Sequence, residues 1–486
     1  MARLTAAAWP ALVGSGHARA YDRAQLPVGI VHLGAGAFFR AHGASYTDTV
    51  LASGDRRWGI TGVSLRHPDV RDALAPQDGL YTVLERDNDT LRANVIGALT
   101  NVLVVPREAA AVRRALCAPD VAIVTLTITE KAYGIGADGN LDLHAPAIAS
   151  DLQNPHAPQT AVGWLAATLV ARRDVHVAPY AVLCCDNLRD NGHTLRRLVL
   201  QYAQRAFERY TSWLADTVAF PNTMIDRIVP RAIAQDQVDA RTAHGFEDAA
   251  PVRCEPFSQW VIEEFAGPRP QWEMAGAQFV RDVRPFEDAK LRLLNAAHTA
   301  FACFGVLLGH TTIARAATDP DIAAFVRNLM TQELAPTLTP EAALDTDDYQ
   351  VKLWSRFANA ALGHGTQQVA MDTSAKLAQR HVPALRDRRG AGASIERLAL
   401  VIAGWMRYLA GHDEDGAGYR INDPLAAPLT AMVATWRTDP PGCVARLLAV
   451  EAVFGDLGRD RVVRETVTRH LERIAVAGVR AALRAA

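Results

Sequence analysis

Hydrophobic residues follow two different patterns along the chain. Up to about residue 285, short runs rich in Val, Ile and Leu alternate with longer amphipathic stretches, which is typical of strands that alternate with helices. From about residue 290 onward only the helical pattern continues. We therefore predict a doubly wound α/β sheet domain at 1–285, followed by a mainly α-helical domain at 286–486.

The predicted elements of the first region are short apolar strands joined by helices. We expect strands at 28–33, 58–65, 81–84, 121–127 and 177–184, and helices at 160–173 and 194–209. The strands at 121–127 and 177–184 are apolar and β-branched enough for the middle of a parallel sheet. In the second region, the Arg- and Gly-rich stretch 386–393 is predicted to be a loop.

One helix of the second region is apolar on every face. Residues 285–308 read PFEDAKLRLLNAAHTAFACFGVLL, and after Arg292 no formal charge follows until beyond His310. Pro285 in front of Glu287 and Asp288 favours a helix start, because the ring presets φ and carboxylates stabilise the positive helix end. A helix without a polar face is predicted to be buried.

Three polar residues interrupt this buried helix. Lys290, Asn295 and His298 stand at spacings i, i+5 and i+8, which at about 100° per residue places them near 0°, 140° and 80° on one side. Buried polar groups are costly unless paired, so we expect a shared pocket in which desolvation lowers the lysine pKa towards that of a general base. From spacing alone, a solvent-reaching lysine, a loop-bonded amide and a satisfied core histidine remain open alternatives.

Composition restricts the class of protein. The chain has 486 residues, 49% of them hydrophobic and 21% charged, with a formal net charge of -1. These values describe a soluble two-domain globular protein and argue against a nucleic-acid or anionic-membrane partner. The six cysteines form no CxxC pair and no metal-ligand spacing, so we predict neither disulfides nor a metal, and a cytoplasmic location.

A glycine-rich turn follows the first predicted strand. Gly34, Gly36, Ala37 and Phe38 stand between that strand and a helix, where main-chain N–H groups can bind a pyrophosphate. Phe39 replaces the third glycine of the usual dinucleotide fingerprint, and a simple tight turn is the alternative. The arrangement predicts a Rossmann-like dinucleotide-binding domain.

Two residues near the end of the second strand bear on the choice of coenzyme. Asp69 can bind a ribose 2′-hydroxyl and so favours NAD, whereas Arg66 tolerates a 2′-phosphate, which leaves NADP possible. Thr129, Glu130 and Lys131 follow a later strand, at the sheet edge where such domains bind ligands.

Three segments follow one another along the chain: IVHLGAGAFFRAH, FPNTMIDRIVP and KLRLLNAAH. In this order and at these separations they resemble the mannitol dehydrogenase family of polyol-specific long-chain dehydrogenases. The resemblance extends through VTLTITEKAYG, CDNLRDNG, CEPFSQWVIEEF and GWMRYLAGHDEDG. It implies a metal-independent, NAD(P)-dependent oxidation of a secondary alcohol to a ketone by a protein that is mostly monomeric. In FPNTMIDRIVP, the adjacent Asp226 and Arg227 are expected to be structural.

The resemblance also implies roles for individual residues. Lys290 matches the general base, Asn295 and Asn187 the two amides that hold the reacting oxygen, His298 the residue that orients the substrate, and Glu287 a carboxylate that moves the proton towards solvent. Gly34, Gly36 and Phe38 match the coenzyme loop, and we expect Thr129 and Glu130 to contribute to it. The amide donors would stabilise charge that develops on the oxygen.

Four residues bear on the substrate. Lys131, Gln368 and Arg380 match the fructuronate reductases of the family rather than its mannitol enzymes, and Lys376 matches a residue that faces the pocket. The added positive charge suits a substrate carboxylate, so we predict interconversion of D-mannonate and D-fructuronate. The alternatives are a mannitol or arabinitol 2-dehydrogenase that acts on a neutral polyol, a sugar-phosphate dehydrogenase, and a nucleotide-binding protein without turnover.

Overall fold

A computed structural model describes residues 2–136, 138–341 and 344–486. The chain divides into two compact units, Met1–Arg284 and Pro285–Ala486. The first unit combines sheets and helices, and the second is built from helices. This is the fold class that the hydrophobic pattern predicts.

The strands of the first unit form one large and two small sheets. They are β1 (Val28–Leu33), β2 (Gly59–Ser64), β3 (Tyr81–Arg86), β4 (Leu91–Ile96), β5 (Leu99–Val104), β6 (Ile123–Leu126), β7 (Ala181–Cys184), β8 (Thr223–Asp226), β9 (Val252–Cys254), β10 (Gln259–Glu263) and β11 (Gln278–Val280). The large sheet has the order β5-β2-β1-β6-β7 with parallel neighbours throughout. This is the order of a doubly wound sheet. Successive strands are added on one side of β1 up to β5 and on the other side from β6 onward, so the strand order reverses between β1 and β6.

The expected strand at 81–84 does not belong to the large sheet. β3 pairs antiparallel with β4 and parallel with β9, so it lies in a separate three-stranded sheet. The edge strands of the large sheet are β5 and β7. The sequence did not predict β5, because Thr100 and Asn101 interrupt its apolar run. The third sheet has the order β11-β10-β8.

Helices cover the sheets of the first unit. They are α1 (Trp9–Gly14), α2 (Ala37–Ala41), α3 (Gly43–Ala52), α4 (Asp69–Leu74), α5 (Val105–Cys117), α6 (Pro146–Gln153), α7 (Ala161–Asp174), α8 (Asn191–Ala206), α9 (Thr211–Thr217) and α10 (Ala234–His244). The Thr160 hydroxyl accepts a hydrogen bond from the Gly163 N–H and so caps α7. Helices α5, α7 and α8 pack with the apolar strands into one continuous core.

The second unit packs its helices around the predicted buried segment. They are α11 (Arg284–Ala289), α12 (Ala296–Leu307), α13 (Ile313–Thr318), α14 (Pro320–Leu329), α15 (Thr346–Phe357), α16 (Thr366–Val369), α17 (Thr373–Gly390), α18 (Glu396–Tyr408), α19 (Ala426–Val433), α20 (Pro440–Leu448), α21 (Glu451–Phe454) and α22 (Arg461–Arg484). Every residue of α12 is buried, which confirms the predicted buried helix. Gly404 of α18 lets the Phe304 ring approach, since a Cβ there would lie 2.4 Å from it.

The predicted loop at 386–393 was wrong over most of its length. Helix α17 continues to Gly390, and its basic residues lie on a helix surface. Arg386 pairs with Asp456, and Arg389 pairs with Asp460. These ion pairs account for the basic cluster that the composition suggested was a loop.

In the part of the second unit that the structure describes, two stretches are π-helical, Lys290–Asn295 and Met330–Leu334. The first continues α11 and leads into α12, so the predicted single helix is three joined pieces. Across the described ranges, no helix combines the length and apolarity that a membrane span needs, and no cluster of three or more His, Cys, Asp or Glu has the geometry of a metal site.

Candidate functional site

The glycine turn after β1 has the form expected of a dinucleotide loop. Gly34 has φ +96°, and a Cβ at this position would lie 2.0 Å from the Thr127 carbonyl oxygen, so only glycine fits. Its N–H donates to the Val63 carbonyl at 2.8 Å, which ties the turn to β2. Gly36 is exposed and directly precedes α2, in which Ala37 and Phe38 are half-buried.

The buried side chain of His32 contacts this turn and the strand β6 beside it. One ring nitrogen of His32 lies 2.7 Å from the Thr125 hydroxyl, and the other lies 3.0 Å from the Gly34 carbonyl and 2.9 Å from the Thr127 hydroxyl. The ring stacks on Phe39 at 3.4 Å. Burial lowers the pKa of His32 to about 3, so the ring is neutral. The only sequence sign of this support was a histidine inside an otherwise apolar strand.

Phe39, which stands in place of the third glycine, therefore has a packing role. Its ring covers His32, and the side chain is buried. The departure from the usual fingerprint is compatible with the turn, because the aromatic side chain points into the core below it.

Arg66 and Asp69 lie beyond the end of β2 and are both exposed. Asp69 is the first residue of α4, where a carboxylate favours the positive helix end. Both positions follow the carboxyl end of a strand that neighbours β1, and their role in selecting a coenzyme stays a prediction.

The loop after β6 carries a strained residue. Thr129 has φ +73° and ψ 148°, a conformation that β-branched residues rarely adopt. Thr129, Glu130 and Lys131 are exposed, and a 3₁₀ turn runs from Glu130 to Tyr133. Ala132 within it has no positive φ, so a residue with a Cβ fits this position.

The loop after β7 contains Asp186 and Asn187. The Asp186 carboxylate accepts hydrogen bonds from the N–H groups of Ile128 (2.7 Å) and Thr129 (3.2 Å) and from the Tyr133 hydroxyl (2.7 Å). Asn187, the predicted amide donor, is the next residue and is exposed. Asp186 was not among the predicted site residues, although it stands directly before Asn187 in the same motif.

Two side chains of the segment FPNTMIDRIVP bind neighbouring parts of the first unit. The Asn222 amide oxygen accepts from the N–H groups of Gly192 (2.9 Å) and His193 (3.2 Å) at the start of α8. Arg227 is buried, donates to the Glu255 carbonyl at 3.0 Å and forms an ion pair with Glu85. Asn222 and Arg227 therefore hold neighbouring segments of the first unit together, and the structural role expected of Asp226 stays a prediction.

Lys290 and Asn295 begin and end the first π turn, and Lys290 is buried, with 8% of its surface exposed. The predicted angle of about 140° between them assumed an α-helix and was wrong. In a π-helix the hydrogen bonds join residues i and i+5, so residues five apart lie closer to one face. Glu287, also buried, precedes Lys290 by three residues in α11.

His298 lies in the first turn of α12 and is nearly enclosed. Its ring makes edge contacts with Phe357 at 5.0 Å and His364 at 5.6 Å. Burial lowers the pKa of His298 well below its usual range, and the neighbouring His364 and cationic side chains add to the effect. Within the described residues, its buried Nε2 has no hydrogen-bond partner. The ring is therefore neutral and retains one unused polar atom.

Helix α17 brings two cations to the same cluster. The Lys376 ammonium donates to the Val369 carbonyl at 2.8 Å, and burial, with Arg380 nearby, lowers its pKa to about 8. Arg380 donates to the Asn295 main-chain carbonyl at 3.0 Å and to the Thr299 hydroxyl at 2.9 Å. The structure thus connects Arg380 to the end of the π turn, a contact that the sequence did not indicate.

Gln368 lies in α16 with an exposed side chain, one residue before the carbonyl that Lys376 contacts. Contacts and electrostatic neighbours therefore link four of the predicted residues of the second unit, namely Asn295, His298, Lys376 and Arg380, and Lys290 begins the π turn that Asn295 ends. The first unit separately places the glycine turn and the loops after β6 and β7 at the carboxyl edge of its large sheet.

Comparison with known proteins gives matches over most of the chain. Family models described as the mannitol dehydrogenase Rossmann domain and the mannitol dehydrogenase C-terminal domain match residues 28–274 and 282–475. An uncharacterised oxidoreductase of Escherichia coli, YeiQ, is 43% identical over 444 residues, or 90% of each chain. The D-mannonate oxidoreductase of E. coli is 40% identical over 442 residues, again 90% of each.

A solved structure is similar over its full length. The mannitol 2-dehydrogenase of Pseudomonas fluorescens, in a ternary complex with NAD and D-mannitol, is 36% identical, and the match covers 99% of both chains with a TM-score of 0.87. The fold and both domains are thus shared with dehydrogenases that differ in substrate.

Proposed function

The chain belongs to the mannitol dehydrogenase family, and we propose that it is an NAD-dependent oxidoreductase that interconverts D-mannonate and D-fructuronate. We assign coenzyme binding to residues 1–285, and substrate binding and proton transfer to residues 286–486. The observation that carries the proposal is the π turn, which starts at a buried lysine and ends at Asn295, with the unpaired Nε2 of His298 in the next turn.

The coenzyme side of the proposal depends on the glycine turn. Gly34 and Gly36 leave the main chain accessible after β1, which fits a pyrophosphate, and the P. fluorescens relative was solved with NAD. When bound, NAD would supply the nicotinamide ring that accepts a hydride from the carbinol carbon of the substrate. Because Arg66 can tolerate a 2′-phosphate, NADP is the alternative coenzyme. A comparison of kcat/KM with NADH and with NADPH decides between the two.

The protein's own residues handle the proton and the developing charge. In the oxidation, Lys290 in its neutral form takes the hydroxyl proton. The side-chain amides of Asn295 and Asn187 donate hydrogen bonds to the oxygen as it becomes a carbonyl, and His298 Nε2 orients a substrate hydroxyl. Glu287, buried in the turn before Lys290, passes the proton on towards solvent.

The choice of a sugar acid depends on positive charge in the substrate region. Lys376 and Arg380 stand one turn apart on α17, so they lie on the same helix face. These two cations suit a substrate carboxylate, and we assign the exposed Lys131 and Gln368 to the substrate as well. The 40% identity to the E. coli D-mannonate oxidoreductase supports the same choice.

A mannitol or arabinitol 2-dehydrogenase is the second candidate. The observation that favours it is the contact of Arg380 with the Asn295 carbonyl, which gives this arginine a use that needs no substrate carboxylate. In that case Lys131 remains a solvated surface charge.

The test measures NADH-dependent reduction of D-fructuronate and D-fructose by the purified protein. We expect kcat/KM to be higher for D-fructuronate; a preference for fructose that Arg380→Ala leaves unchanged refutes the sugar-acid assignment. Lys290→Ala is expected to abolish turnover while NADH still binds. Turnover equal to the parent's removes Lys290 as the base, and loss of NADH binding shows that the variant is misfolded.

We further infer a monomeric protein of the cytoplasm. The cysteines of the described residues are all unpaired, and five of the six are buried, as in proteins of reducing compartments. Size-exclusion chromatography with light scattering tests the monomer.

A further inference from the structure

Asp186 joins the ends of two neighbouring parallel strands. It follows β7, and its carboxylate reaches the first residues after β6, where it accepts from the N–H groups of Ile128 and Thr129. The Tyr133 hydroxyl, buried at the end of the same loop, is its third donor. One side chain therefore holds both the beginning and the end of the segment that contains Thr129, Glu130 and Lys131.

The held segment has a backbone that its sequence does not favour. The φ +73° and ψ 148° of Thr129 belong to a region that is nearly exclusive to glycine. Such a conformation persists only where surrounding contacts enforce it, and the bond from the Thr129 N–H to Asp186 acts directly on the strained residue.

The main chain of Asp186 is fixed as well. Its carbonyl accepts from the Leu188 N–H at 2.8 Å and from the Asn191 side-chain amide at 3.2 Å. Asn191 is locked in turn, because its amide also donates to the Thr223 carbonyl at 2.9 Å. Asn187 is thus attached to a residue whose side chain and main chain are both anchored.

We propose that Asp186 is a positioning residue that holds Thr129 in its strained conformation and so sets the loop at 128–133 and the adjacent Asn187 in their working arrangement. The inference builds on the proposed function, in which Asn187 contacts the reacting oxygen and the loop borders coenzyme and substrate. Asp186 itself touches neither in this assignment.

The chain contains a matched control for the test. Asp151 of α6 accepts from two successive main-chain N–H groups, those of Gln159 (2.8 Å) and Thr160 (2.9 Å), and from the Thr160 hydroxyl (2.6 Å). It therefore has the same kind of bonds as Asp186 but lies on a helix and holds the residues in front of α7. In either case, replacement by Asn turns one acceptor oxygen into an NH2 donor, which then faces a main-chain N–H group. Both variants therefore lose hydrogen bonds in the same way.

The experiment compares Asp186→Asn with Asp151→Asn by thermal melting, NADH affinity and steady-state kinetics on the substrate that the parent prefers. We expect Asp186→Asn to lower kcat at least tenfold and to raise the KM for coenzyme, whereas Asp151→Asn lowers the melting temperature but keeps both constants within about twofold. Unchanged constants in folded Asp186→Asn, or equal kinetic losses in both variants, overturn the proposal.

A rescue experiment separates positioning from general stability. Thr129→Gly makes the strained backbone easy to adopt, so in the Asp186→Asn background it should recover at least a third of the lost kcat. Recovery of melting temperature without recovery of kcat contradicts the positioning role.

Failure of the proposed function has a separate signature, which is that the parent turns over neither sugar acids nor polyols. NADH affinity then remains the readout, with the same expected contrast between the two Asn variants.

Discussion

Removal of the Arg380 guanidinium tests whether the π turn needs an external support. Arg380 donates to the Asn295 carbonyl at 3.0 Å and to the Thr299 hydroxyl at 2.9 Å. Hydrogen bonds from a charged donor contribute roughly 1.5–3 kcal/mol each. In Arg380→Met the Asn295 carbonyl still accepts from the Thr299 hydroxyl at 3.0 Å, so part of this loss is offset.

We expect Arg380→Met to raise the activation free energy by about 1.4 kcal/mol because Asn295 is held less firmly, which corresponds to a fall in kcat of about tenfold. A neutral ketose should show this loss alone. A sugar acid should lose about a further tenfold in kcat/KM, because its carboxylate also loses a cationic partner. The ratio between the two substrates therefore separates support of the turn from recognition of the acid.

The assay follows NADH consumption with D-fructuronate and D-fructose at saturating coenzyme. Thr299→Val is the matched control, since it removes the second acceptor but keeps the bond from Arg380 to the Asn295 carbonyl, and kcat should fall less than about threefold. An unchanged kcat for fructose in Arg380→Met refutes the support of the π turn. Equal losses on both substrates refute the carboxylate contact.

Three further outcomes follow from particular contacts. Gly34→Ala should destabilise the protein by more than about 1 kcal/mol, because the residue has a positive φ and its new Cβ would meet the Thr127 carbonyl. Gly36 has φ −72° and space around it, so Gly36→Ala should weaken NADH binding without lowering the melting temperature. Arg227→Met should lose about 3 kcal/mol or more in urea unfolding, since it leaves buried acceptors and Glu85 unpaired; a loss below about 1 kcal/mol contradicts the structural role. The pKa of Lys376 is about 8 in the folded protein and 10.5 in the unfolded chain, so between these pH values only the unfolded chain keeps the proton. The free energy of unfolding of the parent, relative to that of Lys376→Met, should therefore rise by about 3 kcal/mol as the pH increases through this window. A difference that stays constant with pH refutes the burial penalty on the lysine.

The fold class was predictable because the two periodicities differ so clearly between the halves of the chain. The buried character of α12 followed from its lack of any charge, and the structure buries all of its residues. The membership of β3 in a separate sheet was not predictable, since pairing partners depend on contacts far apart in sequence. The basic run at 386–390 suggested a loop because ion partners as distant as Asp456 and Asp460 are invisible locally.

For the candidate site, residue identity was easier to predict than geometry. Lys290, Asn295 and His298 were identified as one cluster, but on the assumption of a regular α-helix. No local pattern indicates that the chain bonds i to i+5 here, because the π turn is supported by Arg380 from 85 residues away in sequence. Asp186 was missed for a related reason, since its importance depends on where the ends of β6 and β7 meet.

The π turn also bears on how this protein can vary in length. Deletion of one residue between Lys290 and Asn295 would leave these two residues four apart, and the segment could then bond i to i+4 as an ordinary α-helix. At about 100° per residue, positions four apart differ by about 40°, so the amine and the amide would keep one face. What the shorter chain would lose is the wide turn beside the Asn295 carbonyl to which Arg380 donates. A descendant that drops the residue therefore shows whether the chemistry needs the wide turn itself or only the shared face.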